Sequence, residues 1–122
     1  MKQSLLIVSH GSKHEEPLET FKKLVMHVRN KNKFDKVMYA FLQFTEPSIE
    51  ESILDMYNNS IRNVVVMPYF LFKGIHLTRD VKEIIDIAKS QYSDMNITLA
   101  EPLGYDEILV DLIIHRAKQS KK

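Results

Sequence analysis

Cysteine is absent from this chain, no apolar run is long enough to span a membrane, and charges of the two signs nearly cancel. Without cysteine there is no disulfide, no thiolate ligand and no thiol nucleophile, so any metal here must be held by nitrogen or oxygen. Seventeen basic residues against sixteen acidic ones leave a formal charge of +1. That lacks the positive field of a non-specific nucleic-acid binder, and no nucleic acid is expected as a partner. The first apolar run, Leu5-Leu6-Ile7-Val8, stops at Ser9-His10. It is far too short for a signal or membrane helix, which points to a cytoplasmic protein with no membrane partner. No low-complexity segment and no linker interrupts the sequence.

What is present reads as one domain. A chain of 122 residues with 44% hydrophobic content fits a single core, expected over residues 1–117, with a frayed Lys/Ser-rich tail at 118–122. Ser4 to Val8, Val37 to Phe44, Asn63 to Met67 and Asn96 to Ala100 are β-rich runs with little alternation, the pattern of strands covered on both faces. Helical spacing lies between and after them, at Leu18, Phe21, Leu24, Val25 and Val28, at Ile49, Ile53 and Met56, at Val81, Ile84, Ile85 and Ala88, and at Ile108, Leu109, Leu112 and Ile113. Pro17 and Pro47 suit a first helical position, Thr78 is a candidate cap with Asp80 in the first turn, and Asp106 is a candidate cap of the last helix. Four strand-helix units with right-handed crossovers predict an α/β fold with a four-stranded parallel sheet in the order 2-1-3-4 and helices on both faces.

In that order the chain reverses direction between the first and third strands. Ligands of open α/β sheets bind beyond the carboxyl ends of the strands at such a switch point. His10 follows the first strand, and the loop from Pro68 to His76 follows the third, so two histidines far apart in sequence converge there. Histidine titrates nearest neutrality, and a pair of them on loops can bind a metal or move protons. Phosphoryl chemistry is weakly supported. The residue before His10 is serine rather than an arginine clamp, and Gly11-Ser12-Lys13 has only one glycine of a Walker loop. A zinc hydrolase would add a third ligand, for which His14, Glu15, Glu16 and Glu46 are candidates. His27 and His115 fall inside helical segments and read as structural or surface residues.

Four segments, Ile7-Val8-Ser9-His10-Gly11-Ser12, Ala40 to Ile49, Val66 to His76 and Glu101-Pro102-Leu103-Gly104, resemble the small class II tetrapyrrole chelatases, the short CbiX-type sirohydrochlorin chelatases. The resemblance runs in order from Leu5 to about Leu112. It implies half of a three-layer flavodoxin-like or chelatase-like fold, and a lyase that inserts cobalt, nickel or iron into sirohydrochlorin without ATP or any other nucleotide cofactor. The divalent metal would be a substrate, cobalt being favoured, in biosynthesis of the cobalamin or sirohaem type. Short members form homodimers that correspond to one double-length polypeptide.

Carried over by position, the resemblance makes His10 a metal ligand and proton acceptor and His76 the second ligand. Phe70, Leu71, Phe72, Lys73, Gly74 and Ile75 would line the macrocycle pocket. Lys13, Lys73 and Arg79 on the rim are candidates to pair with substrate carboxylates, and each also reads as an ordinary solvated cation. Glu46 stands where the family carries an acid near the substrate, and a carboxylate before Pro47 also suits a helix cap. Many members have a glutamate where this chain has Gln43, and an amide takes no proton at neutral pH. A metal or tetrapyrrole carrier without turnover is therefore the alternative from another functional class, with a metal-dependent hydrolase behind it.

Overall fold

A computed structural model describes residues 2–72 and 74–120. Strands and helices alternate as β1 (Ser4–Ser9), α1 (Glu15–Asn30), β2 (Val37–Phe41), α2 (Ile49–Asn58), β3 (Asn63–Pro68), α3 (Ile75–Gln91), β4 (Asn96–Leu99) and α4 (Glu107–Gln119). The strands form one parallel sheet in the order β2-β1-β3-β4, as the sequence predicts. β1 is central, with Leu6 opposite Met38 on one side and Val66 on the other.

Successive side chains of a strand point to opposite faces, so the unbroken run in β1 feeds two cores at once. Leu6 and Val8 pack with Ala40, Val64, Val66 and Ile97 against Ile53 and Met56 of α2 and Val81 and Ile85 of α3. Leu5 and Ile7 pack with Val37 and Phe41 against Phe21 and Val25 of α1. Each of these buried side chains other than Ala40 contributes about 1.5–3 kcal/mol of hydrophobic stabilisation, which fixes the register.

β3 and β4 depart from the expected two-sided burial. Val64, Val66 and Pro68 are buried, whereas Asn63, Val65 and Met67 are only half-buried; in β4, Ile97 is buried between exposed Asn96 and Thr98. The buried residues of α1 pack with β1 and β2, leaving Val65 and Met67 at the margin of that core. The apolar stripe expected to seat α4 does not do so, since α4 has no buried residue. α4 also continues through Lys118 and Gln119, where a frayed tail was expected, and residues 121 and 122 lie outside the described ones.

Helix starts account for the other differences. Ser48 caps α2: its Oγ accepts from the Glu51 N–H at 3.1 Å, while Glu51 Oε1 accepts from the Ser48 N–H at 2.9 Å. This reciprocal box displaces Pro47 from the expected first helical position. The Pro47 carbonyl instead accepts the Phe41 N–H at 2.8 Å, and β2 ends at Phe41 rather than Phe44. Hydrogen bonds with Ser48 hold the Glu51 carboxyl below its ordinary pKa. Pro17 is the third residue of α1, whose N-cap is His14. α3 begins at Ile75 after Gly74, so Thr78 lies within the first turn and gives its N–H to the Gly74 carbonyl at 2.9 Å. Asp106 caps α4 as expected, accepting from the Ile108 N–H at 2.9 Å. Among the described residues no helix is long and apolar enough to cross a membrane.

Candidate functional site

The carboxyl edge of the sheet is held together by backbone hydrogen bonds that continue past the strands. Leu42 N–H donates to the Ser9 carbonyl at 2.9 Å, Gln43 N–H to the His10 carbonyl at 3.0 Å, and Tyr69 N–H to the Val8 carbonyl at 2.7 Å. His10 is therefore fixed at its backbone by the loop that follows β2. Gly11 turns away at φ +101°, and a Cβ there would run into the Gln43 carbonyl oxygen. Only glycine adopts that φ without strain and admits so close an approach.

Side chains complete the contact between these loops. The Gln43 amide nitrogen lies 2.7 Å from Nε2 of His10. With the ring proton on Nδ1, Nε2 accepts from the amide, which orients the imidazole without adding charge. Phe44, 58% exposed, sets its ring edge-on to His10 at 6.0 Å between centroids and carries the Lys13 ammonium 5.1 Å from its own centroid. Thr45 Oγ1 donates to the Ser12 carbonyl at 2.9 Å. Phe44 has φ +70°, a conformation costing a non-glycine residue about 1–3 kcal/mol and found most often at functional sites. Sequence reading assigned Phe44 to the end of a strand and missed it as a neighbour of His10. The signal, a left-handed backbone under an exposed aromatic, belongs to three dimensions.

The loop after β3 divides its apolar residues. Phe70, only 9% exposed, joins the core beneath the loop, while Leu71 and Phe72 are turned outward, Phe72 with 77% exposure. Lys73 lies outside the described residues, as does the side chain of Ile75, which opens α3. His76 sits exposed in the first turn of α3, and Arg79 is exposed one turn on. That turn holds no acidic residue, so the positive end of the helix dipole is uncompensated. A hollow of about 330 Å³ is lined by Leu42 and Gln43 from the β2 loop and by Leu77 and Asp80 from α3. The residue that contacts His10 and the helix turn that carries His76 thus border one depression.

The remaining candidates separate from this pair. Glu46 is exposed in the β2–α2 loop, and the capping role open to it is taken by Ser48. His14 is exposed at the start of α1, its N–H donating to Ser12 Oγ at 3.0 Å. Glu15 and Glu16 occupy the first turn of α1. Among the described residues, no three histidine, aspartate or glutamate side chains gather into a metal-holding group. Two imidazoles alone would leave most coordination positions of a bound divalent ion to other donors. His27 and His115 are exposed, in the last turn of α1 and on α4.

A larger hollow, about 800 Å³, opens at the opposite edge between Lys2, Asp35, Lys36, Asp55, Arg62 and Asp94. Its charges are mixed and partly paired, Lys2 with Asp35 at 3.8 Å and Arg62 with Asp94 at 3.2 Å, and no histidine lines it. Volume therefore favours the amino edge and chemistry the carboxyl edge. Chemistry decides, because the switch point and both histidines lie there.

Comparison with known proteins identifies the family of the chain. The CbiX family model matches residues 4–120. The sirohydrochlorin cobaltochelatase of Methanocaldococcus jannaschii is 27% identical, over 94% of this chain and 97% of that protein. The crystal structure of a putative cobalamin biosynthesis CbiX protein from Marinobacter aquaeolei VT8 superposes with a TM-score of 0.85 at 26% identity, covering 98% of this chain and 94% of that one. The sirohydrochlorin chelatase SirB from Bacillus subtilis subspecies spizizenii, solved in complex with cobalt, gives a TM-score of 0.90 at 28% identity; 97% of this chain covers 50% of that one.

Proposed function

Because the chain belongs to the CbiX family, whose model spans residues 4–120, we propose that it is a sirohydrochlorin chelatase, inserting a divalent metal into the macrocycle without ATP. Cobalt is the favoured metal, with nickel and iron as alternatives, since nitrogen ligands discriminate poorly among these ions. The observation that carries this reading is the pair His10 and His76 at the carboxyl edge, with His10 held by the neutral amide of Gln43. The reaction replaces two pyrrole protons by M²⁺, so the site must take water from the ion and protons from the ring.

Each group has a part in that exchange. His10 and His76 are the metal ligands, and His10 takes a pyrrole proton on Nε2 as the metal passes to the macrocycle, the Gln43 amide giving up its hydrogen bond to that nitrogen in the exchange. Gln43 holds the His10 ring at a fixed angle, which limits the rearrangement needed at the moment of transfer. Phe44, Leu71 and Phe72 offer exposed apolar surface to the macrocycle, and Gly74 lets the backbone approach it closely. Lys13, Lys73, Arg79 and the amino end of α3 supply positive potential to the carboxylates of the substrate. Glu46, exposed and free of a capping role, relays protons or receives a polar substituent.

An absorbance time course of sirohydrochlorin with Co²⁺, Ni²⁺ or Fe²⁺ tests the proposal. The native protein is expected to metallate faster than the spontaneous reaction and His10→Ala to lose most of that acceleration. A spectral shift on binding with no faster metallation would replace this reading by the carrier, which the amide at position 43 favours.

A further inference from the structure

We propose that α4 is an interface element and that a second copy of this chain occupies it. At about 100° per residue, Ile108, Leu109, Val110, Leu112, Ile113 and Ile114 spread over roughly two thirds of the helix circumference. A helix apolar over so wide an arc is normally enclosed. Here Leu109 and Val110 are half-buried and the other four are exposed, Ile108 at 78% and Ile113 at 63%. Helices shorter than about 12–15 residues are marginal in water by themselves, and α4 has 13 residues with none buried. The neighbouring strands repeat the pattern, with Val65 and Met67 half-buried and Thr98 exposed on a face that α1 covers only over β1 and β2.

Two observations identify the occupant. The chain covers nearly all of the Marinobacter structure but half of the SirB structure, so a polypeptide of twice this length provides a second half that here requires a second molecule. The charges on α4 also suit self-pairing. Glu107 and Asp111 lie in its first half and Arg116 and Lys118 in its second. A two-fold axis that sets two such helices antiparallel opposes acid to base at both ends, the self-complementarity required of an isologous contact.

The contact bears on the site. Leu103 N–H donates to the Phe70 carbonyl at 2.9 Å and Gly104 N–H to the Leu71 carbonyl at 2.7 Å, so the segment leading into α4 is tied to the loop leading to His76. Fixing α4 against a partner therefore fixes that loop. This deepens the proposed function by naming the molecule that completes the carboxyl edge. Self-association is measured without substrate, so it stands or fails separately from the chemistry.

Sedimentation equilibrium at micromolar concentration is expected to give twice 14.3 kDa for the native chain. Ile108→Glu with Ile113→Glu should raise the dimer dissociation constant by about 30-fold or more, the scale of losing an interface hot spot. Ile87→Glu, at an exposed apolar position on α3, should leave it unchanged. A native monomer, a dimer indifferent to the α4 pair, or a dimer broken by Ile87→Glu would overturn the proposal. Hydrogen exchange on the native chain guards against an α4 variant that fails to fold. Protection of α4 amides should fall on dilution, and protection independent of concentration would also overturn it.

Discussion

Replacing Gly11 by alanine should damage the stability of this protein more than its size suggests. At φ +101° an L-residue loses about 1–2 kcal/mol relative to its relaxed backbone. The new methyl group also meets the Gln43 carbonyl oxygen, a backbone atom that cannot swing aside as a flexible side chain would. To relieve the clash the β2 loop must retreat, stretching the Leu42-to-Ser9 and Gln43-to-His10 hydrogen bonds, each contributing about 0.5–1.5 kcal/mol. The total comes to about 2–5 kcal/mol, and at about 4 °C per kcal/mol for a chain of this length the melting temperature falls by roughly 8–20 °C. Gly74→Ala is the control, because Gly74 has φ −69° and the nearest atom to its added Cβ is Leu77 Cδ1 at 3.9 Å. That change should stay within about 1 kcal/mol. Circular dichroism melts of both variants at one protein concentration decide the matter, since self-association would make the midpoint concentration-dependent. A Gly11→Ala melt within about 2 °C of the native one, or a Gly74→Ala loss of equal size, would refute the reasoning.

Gln43→Glu places a proton acceptor beside His10 and should raise the metallation rate by roughly tenfold, less than the roughly 10²–10⁴-fold of an optimally placed general base because His10 already accepts a proton; an unchanged or slower rate in the same absorbance assay would deny that proton removal limits turnover. Phe44→Gly should change stability by no more than about 1 kcal/mol, because relief of the left-handed strain offsets the lost ring contacts, while slowing metallation. A stability loss with an unaltered rate would assign the ring to packing alone. Ser48→Ala removes the α2 cap and should cost about 1 kcal/mol at neutral pH in urea unfolding. The folded pKa of Glu51 is lowered by hydrogen bonds with Ser48, so its stabilisation is present above about pH 4.3 and lost as pH falls through the lowered value. The gap between native and Ser48→Ala proteins should therefore narrow from pH 6 to pH 3, and a gap that stays constant would exclude the carboxyl from the cap.

The order of the sheet was legible because β1 is apolar at every position from Leu5 to Val8, which marks a central strand, and because His10 and the Pro68–His76 loop both follow strands. Local competition was not legible. Pro47 satisfies the rule for a first helical residue, yet the reciprocal Ser48–Glu51 cap starts α2 at Ile49. Phe70, Leu71 and Phe72 look alike in sequence, and only packing separates the one that enters the core from the two that leave it. The spacing of Ile108, Leu109, Leu112 and Ile113 announces an apolar helix face without saying whether the face turns inward or outward. Phe44 escaped notice because residue type carries no information on the sign of φ at that position.

The hydrogen bonds from Tyr69 to Val8, Leu42 to Ser9, Gln43 to His10, Leu103 to Phe70 and Gly104 to Leu71 are all between main-chain atoms. The rim is consequently a fixed frame into which side chains are plugged. Residues can be exchanged at Gln43, Phe44 or Leu71 while the Cα positions of the rim persist, so a lineage can retune its preference among metals or macrocycles by single substitutions without first rebuilding the loops. Gly11 is the exception, the one socket that accepts nothing else.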